Sequence, residues 1–350
     1  MSYVVLTLAI LWLLFAIAHE LLTGQVWFWV IPGMAPPILF AAFPILFFVA
    51  GLAFARVRVP LMAIGVASFL VSIPSTGINF NAFSREARAA TPSSVHVVQL
   101  NTDYWGQLRD GTLTDPRDKD AMLAYLRALD ADVYLLQEHM QRVGDLAPPV
   151  TDLSDVQEVF PEYEAVMAGT LLTLTRLPVV DSSVVNPHET AELQLPPPPY
   201  ALQVDVQVGD EVLSTYNVHM PIQIIIERDP FSASFYDEIR RRHTIRAEEF
   251  RKLTADVVEN PNALVIAGDF NTSPVMGDNR GLLAVTTDAA SFTPMIYPAT
   301  WRVGGQLPKL WRNDWFLLRN DLRVDQFVYL DPEGNSDHLA SSLHATVLGH

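Results

Sequence analysis

Hydrophobic residues follow two different patterns along the chain. The first 84 residues contain three apolar stretches, at about 3–22, 38–55 and 61–80, with very few charges. A helix of about 20 apolar residues is long enough to cross the ~30 Å hydrocarbon core of a bilayer. The pattern therefore predicts a membrane anchor, residues 1–84, made of three transmembrane helices. A cleaved signal peptide is the alternative for the first stretch, although the cationic start of a signal peptide is missing.

Two arginines indicate how this anchor is oriented. Arg56 and Arg58 lie between the second and third stretches, and positively charged loops tend to stay in the cytoplasm. The amino terminus is then also inside and the remainder of the chain outside, although Arg85 and Arg88 weaken the asymmetry. We expect a multi-pass protein of the plasma membrane whose extracytoplasmic domain follows a small, polar linker at residues 85–94.

Beyond the linker, short apolar runs alternate with turn residues, as expected of an α/β domain. Apolar residues repeat every three or four positions in two segments, which predicts helices at 118–129 and 238–258. Short runs bounded by Gly, Pro, Asn and Asp predict strands. The predicted strands cover residues 95–100, 132–137, 171–180, 200–208, 212–218, 263–267, 314–318, 322–330 and 343–348.

Polar residues stand where many of these strands end or begin. A single Asp, Asn or His in such a place is an ordinary turn or loop residue. Their repetition indicates a site, because the ends of neighbouring strands meet at one edge of a sheet. The candidate residues are Asn101, Glu138, His219, Asp269, Asn271, Asp314, Asp337 and His338.

Charge and cysteine content exclude some functions. The formal net charge is -16, and the first 90 residues hold four arginines and two glutamates, so residues 91–350 carry about -18. An acidic surface repels a polyanion, which disfavours nucleic acid as a partner. The chain has no cysteine, which excludes disulfides, thiolate metal sites and a cysteine nucleophile. Nothing in the sequence indicates a protein partner.

Seven short motifs follow one another in a fixed order. They are QLN at 99–101, LQE at 136–138, a glycine-to-TRLP segment at 169–178, NVH at 217–219, GDFN at 268–271, RND at 312–314 and SDH at 336–338. In this order they resemble the endonuclease/exonuclease/phosphatase superfamily, which includes DNase I-like nucleases, inositol polyphosphate 5-phosphatases and neutral sphingomyelinases. The resemblance implies a catalytic domain at 95–350, folded as a four-layer α/β sandwich of two packed mixed β-sheets flanked by helices.

The resemblance also implies a role for each candidate residue. One or two Mg²⁺ ions, with Mn²⁺ as an alternative, would be bound by the metal ligands Asn101, Glu138 and Asp337, whose oxygen donors suit a hard cation. The catalytic residues would include Asp269, which would activate the attacking water. Asn271 would hold that water or a phosphate oxygen.

The remaining catalytic residues would act on the phosphate. His219 and His338 would donate hydrogen bonds to its non-bridging oxygens, and Asp314 would orient His338. Tyr163 would be an added phosphate contact. The chain departs from the family pattern at Trp315, where Tyr or His is usual.

The segment 220–236 bears on the substrate because it is unusually apolar for a loop. It is either a lid packed on the domain or a wall that meets a lipid or the bilayer surface. Together with the anchor, it favours a phosphate ester or pyrophosphate of a lipid or lipid-linked carrier as the substrate. The layout resembles bacterial members with a three-span leader that are linked to teicoplanin-type glycopeptide resistance and to polyprenyl pyrophosphate recycling. The alternatives are an extracytoplasmic Mg²⁺-dependent nuclease and a catalytically silent membrane scaffold.

Overall fold

The computed structural model describes most of the chain. The described residues are 1–83, 94–106, 108–109, 112–113, 118–141, 148–186, 198–225, 229–303 and 308–348. The predicted linker, residues 85–94, lies outside the described residues apart from Ser94. On either side of it the chain forms an apolar helical leader, residues 1–83, and an α/β domain.

The leader consists of apolar helices joined by short turns. Its helices are α1 (Ser2–Leu22), α2 (Val30–Gly33), α3 (Leu39–Ala53) and α4 (Arg58–Ser72), with 3₁₀ turns at Trp27–Trp29, Ala55–Val57, Ile73–Ser75 and Phe80–Phe83. α1, α3 and α4 pack on one another, with Ala9, Val57 and Leu61 buried between them. Many of the outward apolar side chains, such as Leu11 and Leu46, are exposed.

Two segments of the leader are long and apolar enough to cross a membrane, instead of the three predicted. They are Ser2–Leu22 and Ala55–Ser75, each of 21 residues. The middle helix, Leu39–Ala53, has only 15 residues, which is about 22 Å of helix. It stops at Phe54, whose backbone angles (φ -105°, ψ 82°) are not helical. By length and composition, therefore, two helices among the described residues are long enough to cross a membrane, and the middle helix is shorter than these two.

The domain contains fourteen strands and five helical segments among the described residues. The strands are β1 (Val95–Asn101), β2 (Leu108–Arg109), β3 (Thr112–Leu113), β4 (Val133–Gln137), β5 (Glu164–Ala168), β6 (Leu171–Thr175), β7 (Val179–Val184), β8 (Ala201–Val208), β9 (Glu211–His219), β10 (Ala263–Asp269), β11 (Thr287–Asp288), β12 (Asp314–Arg319), β13 (Leu322–Leu330) and β14 (Ala340–Val347). The helical segments are α5 (Asp103–Gly106), α6 (Asp118–Leu129), α7 (Ser154–Val159), α8 (Ala233–Glu259) and α9 (Arg280–Leu283), and a 3₁₀ turn covers Ala289–Phe292.

Most of the strands form two six-stranded sheets. The first has the strand order β13-β14-β1-β4-β6-β5, and the second has the order β11-β12-β10-β9-β8-β7. β1 and β4 are parallel, as are β9 and β10, and the other neighbours are antiparallel. Both sheets are therefore mixed, as predicted.

The two sheets pack face to face and helices cover their outer faces. Val133 of the first sheet and Val265 and Phe316 of the second belong to one buried cluster between them. On the outside of the first sheet, Leu126 of α6 packs with Tyr134, and on the outside of the second, α8 packs against β10. Each fully buried side chain of this size contributes about 1.5–3 kcal/mol. The α/β fold with two mixed sheets flanked by helices is confirmed.

Two predicted elements have different bounds in the structure. The segment 171–180, predicted as one strand, is split into β6 in the first sheet and β7 in the second. Pro178 lies in the gap, where its missing N–H makes it unsuited to the interior of a ladder. The helix predicted at 238–258 begins earlier, because the Ser232 side chain accepts a hydrogen bond from the Phe235 N–H and caps it.

Candidate functional site

Three neighbouring strands of the second sheet place three candidate residues side by side. His219 lies opposite Asp269 in the parallel pair of β9 and β10. Asp269 in turn lies opposite Asp314 in the antiparallel pair of β10 and β12. Because neighbouring strands are about 4.8 Å apart, this register brings the three side chains within reach of one another at one edge of the sheet.

The first sheet brings an amide and a carboxylate to the same edge. Asn101 ends β1 in register with Gln137, which ends β4, and Glu138 follows directly. The Asn101 Nδ2 group donates to Glu138 Oε1 at 3.2 Å and to Asp269 Oδ2 at 3.0 Å. Asn101 therefore joins the two sheets at the point where their polar residues meet.

A ladder of buried amides supports these residues from below. Gln99 Nε2 donates to Gln137 Oε1 at 2.8 Å and to Asp314 Oδ1 at 3.0 Å. Gln137 Nε2 donates to Asn217 Oδ1 at 2.6 Å. All four residues are fully buried, so each broken bond would leave an unpaired polar group that costs about 1–3 kcal/mol. In the sequence, Gln99, Gln137 and Asn217 each stand near the end of an apolar strand, but no role was predicted for them.

Gly268 is required by the close approach of β9 and β10. Its φ is +155°, and a Cβ atom at this position would lie 1.8 Å from the Val218 carbonyl oxygen. No side chain fits there without moving the backbone of β9. The glycine of the GDFN motif therefore allows His219 and Asp269 to sit side by side.

The turn after β10 fixes the orientation of Asp269. Asn271 has a φ of +46°, a strained value for a residue with a side chain. In this conformation its N–H donates to Asp269 Oδ1 at 2.8 Å, and its Nδ2 group donates to the Met220 carbonyl at 2.9 Å. In this geometry Asn271 orients Asp269 through its backbone, and its amide nitrogen is already engaged.

His338 and Asp314 form a buried pair. His338 Nδ1 lies 2.8 Å from Asp314 Oδ2, and its Nε2 lies 3.7 Å from both Asp269 Oδ2 and Asp337 Oδ1. Burial opposes a charged imidazole, but the negative charges of Asp314, Asp337 and Asp269 outweigh it and raise the pKa of His338 well above its usual value. In the same way, burial disfavours the Asp314 carboxylate, but His338 outweighs it and lowers the pKa of Asp314. The pair is therefore an ion pair at neutral pH.

His219 differs from His338 in its charge. Burial, followed by the nearby charge of His338, lowers the pKa of His219 to about 3, so its imidazole is neutral at pH 7. Its Nε2 atom lies 3.8 Å from Glu138 Oε1 and 3.9 Å from Asp269 Oδ2. Its Nδ1 atom has no hydrogen-bond partner among the described residues. The site thus contains one neutral and one charged imidazole, and both can donate a hydrogen bond to an anionic ligand.

Asp269 occupies the position between the two histidines. Burial raises its pKa to about 6, with a further increase from Asp314 that His338, Asn271 and Asn101 partly offset. A carboxylate with a pKa near 6 is a stronger base than an ordinary aspartate and is still mostly ionised at pH 7. Its environment therefore suits a general base.

The carboxylates of Asp103, Glu138 and Asp337 form the other side of the site. Asp103 was not among the residues predicted from the sequence. Burial and the charge of Asp337 raise the pKa of Asp103 to about 7. Burial and the charge of Asp103 raise the pKa of Glu138 to about 8. Asp103 has a left-handed backbone (φ +45°), and its N–H donates to Asn101 Oδ1 at 3.0 Å. No periodicity or motif in the sequence points to it.

The carboxylate group fits a divalent cation. In addition to burial, the charge of Asp337 raises the pKa of Asp103, and the charges of Asp103 and Asp337 raise the pKa of Glu138. This negative charge can be neutralised by a cation, and the donors, like that of Asn101, are oxygens. Asp269, Asp314 and His338 form a compact group, with ligand atoms within 4.8 Å of one another. However, both oxygens of Asp314 already accept hydrogen bonds, from Gln99 and His338. We therefore regard that group as an ion pair, Asp314 and His338, beside a base, Asp269.

Two further residues that the prediction missed support Asp337. The Trp301 indole N–H donates to Asp337 Oδ2 at 2.7 Å, and Lys309 Nζ donates to the Asp337 carbonyl at 2.5 Å. The Trp301 ring also lies near the His338 ring, with 6.3 Å between their centres. They were missed because they reach the site from a loop whose sequence has no strand or motif pattern.

Two of the subsidiary expectations can be compared with the structure. Tyr163, expected to contact phosphate, is buried and donates to the Ala131 carbonyl at 2.6 Å, so it belongs to the core and that expectation was wrong. Trp315, which departs from the family pattern, donates from its indole N–H to the Thr272 carbonyl at 2.6 Å. It therefore braces the turn that carries Asn271.

All eight predicted site residues lie at this edge of the two sheets, while the roles assigned to them remain predictions.

Comparison with solved structures supports the fold. The chain is similar to an endonuclease/exonuclease/phosphatase family protein from Leptotrichia buccalis C-1013-b (TM-score 0.50, 12% identity, 72% of this chain and 99% of that chain covered). A protein of the same description from Beutenbergia cavernae DSM 12333 has a TM-score of 0.50 at 16% identity, with 73% and 72% covered.

A third similar structure is the catalytic domain of human Nocturnin with a bound sulfate anion, with a TM-score of 0.50, 16% identity, and 77% of this chain and 99% of that chain covered. A search of curated proteins found no match. The sequence profile of the Endonuclease/Exonuclease/phosphatase family matches residues 80–338, a range that contains every residue of the site. Members of this family, which includes phosphatases and nucleases, are hydrolases of phosphoester bonds and generally depend on divalent metals. The chain belongs to the Endonuclease/Exonuclease/phosphatase family.

Proposed function

We propose that the protein is a membrane-anchored, metal-dependent phosphoesterase that hydrolyses a phosphate ester or pyrophosphate of a lipid or lipid-linked carrier. The observation that carries the hydrolase part is the position of Asp269, which lies between a neutral and a charged imidazole and beside a group of carboxylates. This arrangement places a base and two hydrogen-bond donors, one of them charged, beside acids that would hold a cation.

The proposed reaction is in-line attack of water on phosphorus. Asp269 accepts the proton of the attacking water, and Asn101 and the Asn271 N–H keep its carboxylate in place. His338, held by Asp314, and His219 donate to the non-bridging oxygens as negative charge develops on them. Asn101, Glu138 and Asp337 would hold one or two Mg²⁺ or Mn²⁺ ions, which would supply positive charge to stabilise the same oxygens. Because water is the nucleophile, no covalent enzyme intermediate is formed.

The proposed membrane location rests on the leader. Two of its segments have the length and composition of spanning helices, and large apolar side chains such as Leu8, Leu14 and Leu46 are exposed on its surface. Arg56 lies between α3 and α4 and Arg58 begins α4, at the ends opposite those bonded to the domain. The positive-inside rule assigns these ends to the cytoplasm. With α1, α3 and α4 all crossing the membrane, the shorter α3 by local thinning of the bilayer, the catalytic domain is extracytoplasmic, at the outer face of the plasma membrane.

The lipid part of the proposal rests on composition and layout. An active site beside apolar helices meets membrane-borne phosphates at high local concentration, whereas the acidic domain repels long nucleic acid. The layout resembles that of the bacterial teicoplanin-resistance-type members, so a polyprenyl pyrophosphate is the first substrate to examine. No observation specifically favours a nuclease or a silent scaffold.

A comparison of substrates tests the proposal. The full-length protein in nanodiscs with Mg²⁺ is offered a polyprenyl pyrophosphate, sphingomyelin, a phosphoinositide and plasmid DNA, together with the variants Asp269→Asn and, as a control far from the site, Asp210→Asn. We expect hydrolysis of at least one lipid by the wild type and by Asp210→Asn but not by Asp269→Asn. Nicking of DNA without turnover of any lipid would indicate the nuclease. Equal inactivity of all three proteins on every substrate would indicate the scaffold.

A further inference from the structure

The leader contacts the domain at several points around the site. At the end of α1, the side chains of His19 (Nε2, 2.8 Å) and Thr23 (Oγ1, 3.0 Å) both bond to the Val275 carbonyl, and Arg280 forms a 2.5 Å ion pair with Glu20. Val275 belongs to the loop that directly follows the GDFN turn, and Arg280 begins α9 at the end of that loop. The carboxyl end of α1 is therefore attached to the loop beside Asp269.

A second attachment lies on the other side of the site. The Trp311 indole N–H donates to the Met34 carbonyl at 3.0 Å, and the Tyr297 hydroxyl accepts from the Ile38 N–H at 3.3 Å. The Trp311 ring lies 5.8 Å from the Trp301 ring, and Trp301 in turn donates to Asp337. The start of α3 is thus connected to the residues that hold Asp337.

The end of the leader provides a third attachment. Beyond α4, the Asn79 side chain donates to the carbonyls of Ala290 and Thr293, both at 2.9 Å, and the Asn79 N–H donates to the Ile296 carbonyl at 2.8 Å. Three separate helix ends therefore hold the domain. Three separate contacts fix the orientation of the domain relative to the leader, which a single flexible linker does not do.

The opposite edge of the sheets points away from the leader. β9 runs for nine residues from Glu211 to His219, so the turn at Gly209–Asp210 lies about 30 Å from the site end. All the attachments of the leader described above are at the site end. If the apolar helices lie in a bilayer, the edge that carries the site faces that bilayer and the β8–β9 turn faces the solvent.

Helix α8 extends from the domain in the same direction. It has 27 residues, about 40 Å, whereas β10 beside it has seven residues, about 23 Å. Its Arg246 side chain donates to the carbonyl of Phe270, just past the end of β10, so the 13 residues of α8 before Arg246 extend beyond the strands. In that part Arg240 lies over the Trp27 ring of the leader, 4.8 Å from its centre.

The surface of this extension suits a membrane interface. Phe231, just before α8, is 95% exposed, and Tyr236 in its first turn is 40% exposed. Ile296, beside the attachment of Asn79, is also exposed. Arg240 is exposed in the same part of α8, whereas Arg241 and Arg242 are ion-paired with Glu238. Exposed aromatic and aliphatic side chains next to an arginine match the interfacial region of a bilayer.

We propose that the site-bearing edge of the domain rests on the bilayer surface, with Phe231, Tyr236 and Ile296 in the interfacial region. This orientation rests on the membrane anchoring in the proposed function and narrows the substrate class. The site takes the phosphate of an amphiphile that remains in the membrane, and the leader acts as a positioning element that holds the site against the bilayer.

Site-directed labelling tests this orientation, because the chain has no native cysteine. The variants Phe231→Cys, Ile296→Cys and Asp210→Cys of the full chain are labelled with an environment-sensitive fluorophore and reconstituted in nanodiscs with or without lipids that carry a nitroxide on the head group. We expect loss of fluorescence for the labels at 231 and 296 and no loss at 210, because a nitroxide quenches only at short range. Equal quenching at all three positions, or no quenching at any, would overturn the orientation.

Flotation with lipid vesicles separates this result from a failure of the proposed function. If the protein floats with vesicles while the labels show no difference, the orientation is wrong but the anchoring stands. If the protein does not float, the anchoring in the proposed function is wrong and the orientation falls with it. Inactivity on every substrate in an otherwise correctly oriented protein would overturn only the proposed catalysis.

Discussion

The strand ends and the loops of the site are held in place in different ways. Asn101, His219, Asp269 and Asp314 stand on strands, where the sheet register and the buried amides position them. Asp337 stands on a loop and depends on Trp301 and Lys309, which other loop contacts support. The strand-borne half is thus part of the core, whereas the loop-borne half depends on tertiary contacts that reach as far as the leader.

This difference implies different responses to substitution. Changes on the strands should affect chemistry or folding, because those residues are buried and tightly packed. Changes in the loops should affect cation binding and site geometry, with smaller effects on the stability of the domain.

The largest expected effect is the loss of the base. Asp269→Asn keeps the shape of the side chain but removes its ability to accept a proton, so we expect kcat to fall by about 10²–10⁴. Phosphate release from a lipid substrate measures it, and a melting temperature close to that of the wild type would show that the fold is intact. The matched variant Asp210→Asn lies at the opposite edge and should retain full activity. A kcat for Asp269→Asn close to that of the wild type would remove Asp269 from the mechanism.

A pair of glycines tests the packing of the strand-borne half. Gly268→Ala introduces a Cβ atom 1.8 Å from the Val218 carbonyl oxygen, so we expect a loss of about 3 kcal/mol or more in the free energy of unfolding. Gly209→Ala also has a positive φ (+60°), but nothing lies within 4 Å of its added Cβ, so it should lose only about 1–2 kcal/mol. Chemical denaturation measures both. Equal losses would show that the approach of β9 and β10 does not require a glycine.

The loop-borne half is tested by cation binding. Trp301→Phe removes the indole donor to Asp337 but keeps most of the ring, so we expect Mn²⁺ to bind about 10-fold or more weakly. Calorimetry or the electron paramagnetic resonance of Mn²⁺ gives the dissociation constant without a substrate. Trp12→Phe, in α1 of the leader and among aromatic neighbours there, serves as the control and should bind the ion much as the wild type does. Equal affinity in all three proteins would exclude Asp337 as a supported ligand.

The smallest effect concerns stability far from the site. Burial and the neighbouring His344 lower the pKa of His96 from 6.5 to about 4. Between these two values the unfolded chain binds a proton that the folded chain does not, so the folded state loses stability as the pH falls. We expect the fall in melting temperature between pH 7.5 and pH 5 to be smaller in His96→Gln. An identical fall in both proteins would show that His96 does not contribute.

The same division explains what could be predicted from the sequence. The residues Asn101, Glu138, His219 and Asp269 end apolar runs, and because strand ends converge at a sheet edge, their meeting could be predicted. The split of the segment 171–180 could not, because an apolar run does not reveal where the chain crosses from one sheet to another.

Residues placed by tertiary contacts carried no usable signal. Asp103 reaches the carboxylates only through a left-handed turn, and Trp301 only through a loop of irregular sequence. Tyr163 was assigned to the site because of the family resemblance, but it is buried in the core and its hydroxyl donates to the Ala131 carbonyl. The length of the middle helix of the leader was overestimated, because hydropathy does not show that this helix ends before Phe54.

The central claim is that Asp269 directs water to phosphorus, and isotope incorporation tests it directly. In water enriched in ¹⁸O, a single turnover of a phosphorylated lipid by the full-length protein should place one ¹⁸O atom in the phosphoryl product and none in the alcohol product, as measured by mass spectrometry. The Asp269→Asn protein should show no incorporation above background under the same conditions. Appearance of ¹⁸O in the alcohol product, or equal incorporation by the wild type and the variant, would contradict the account.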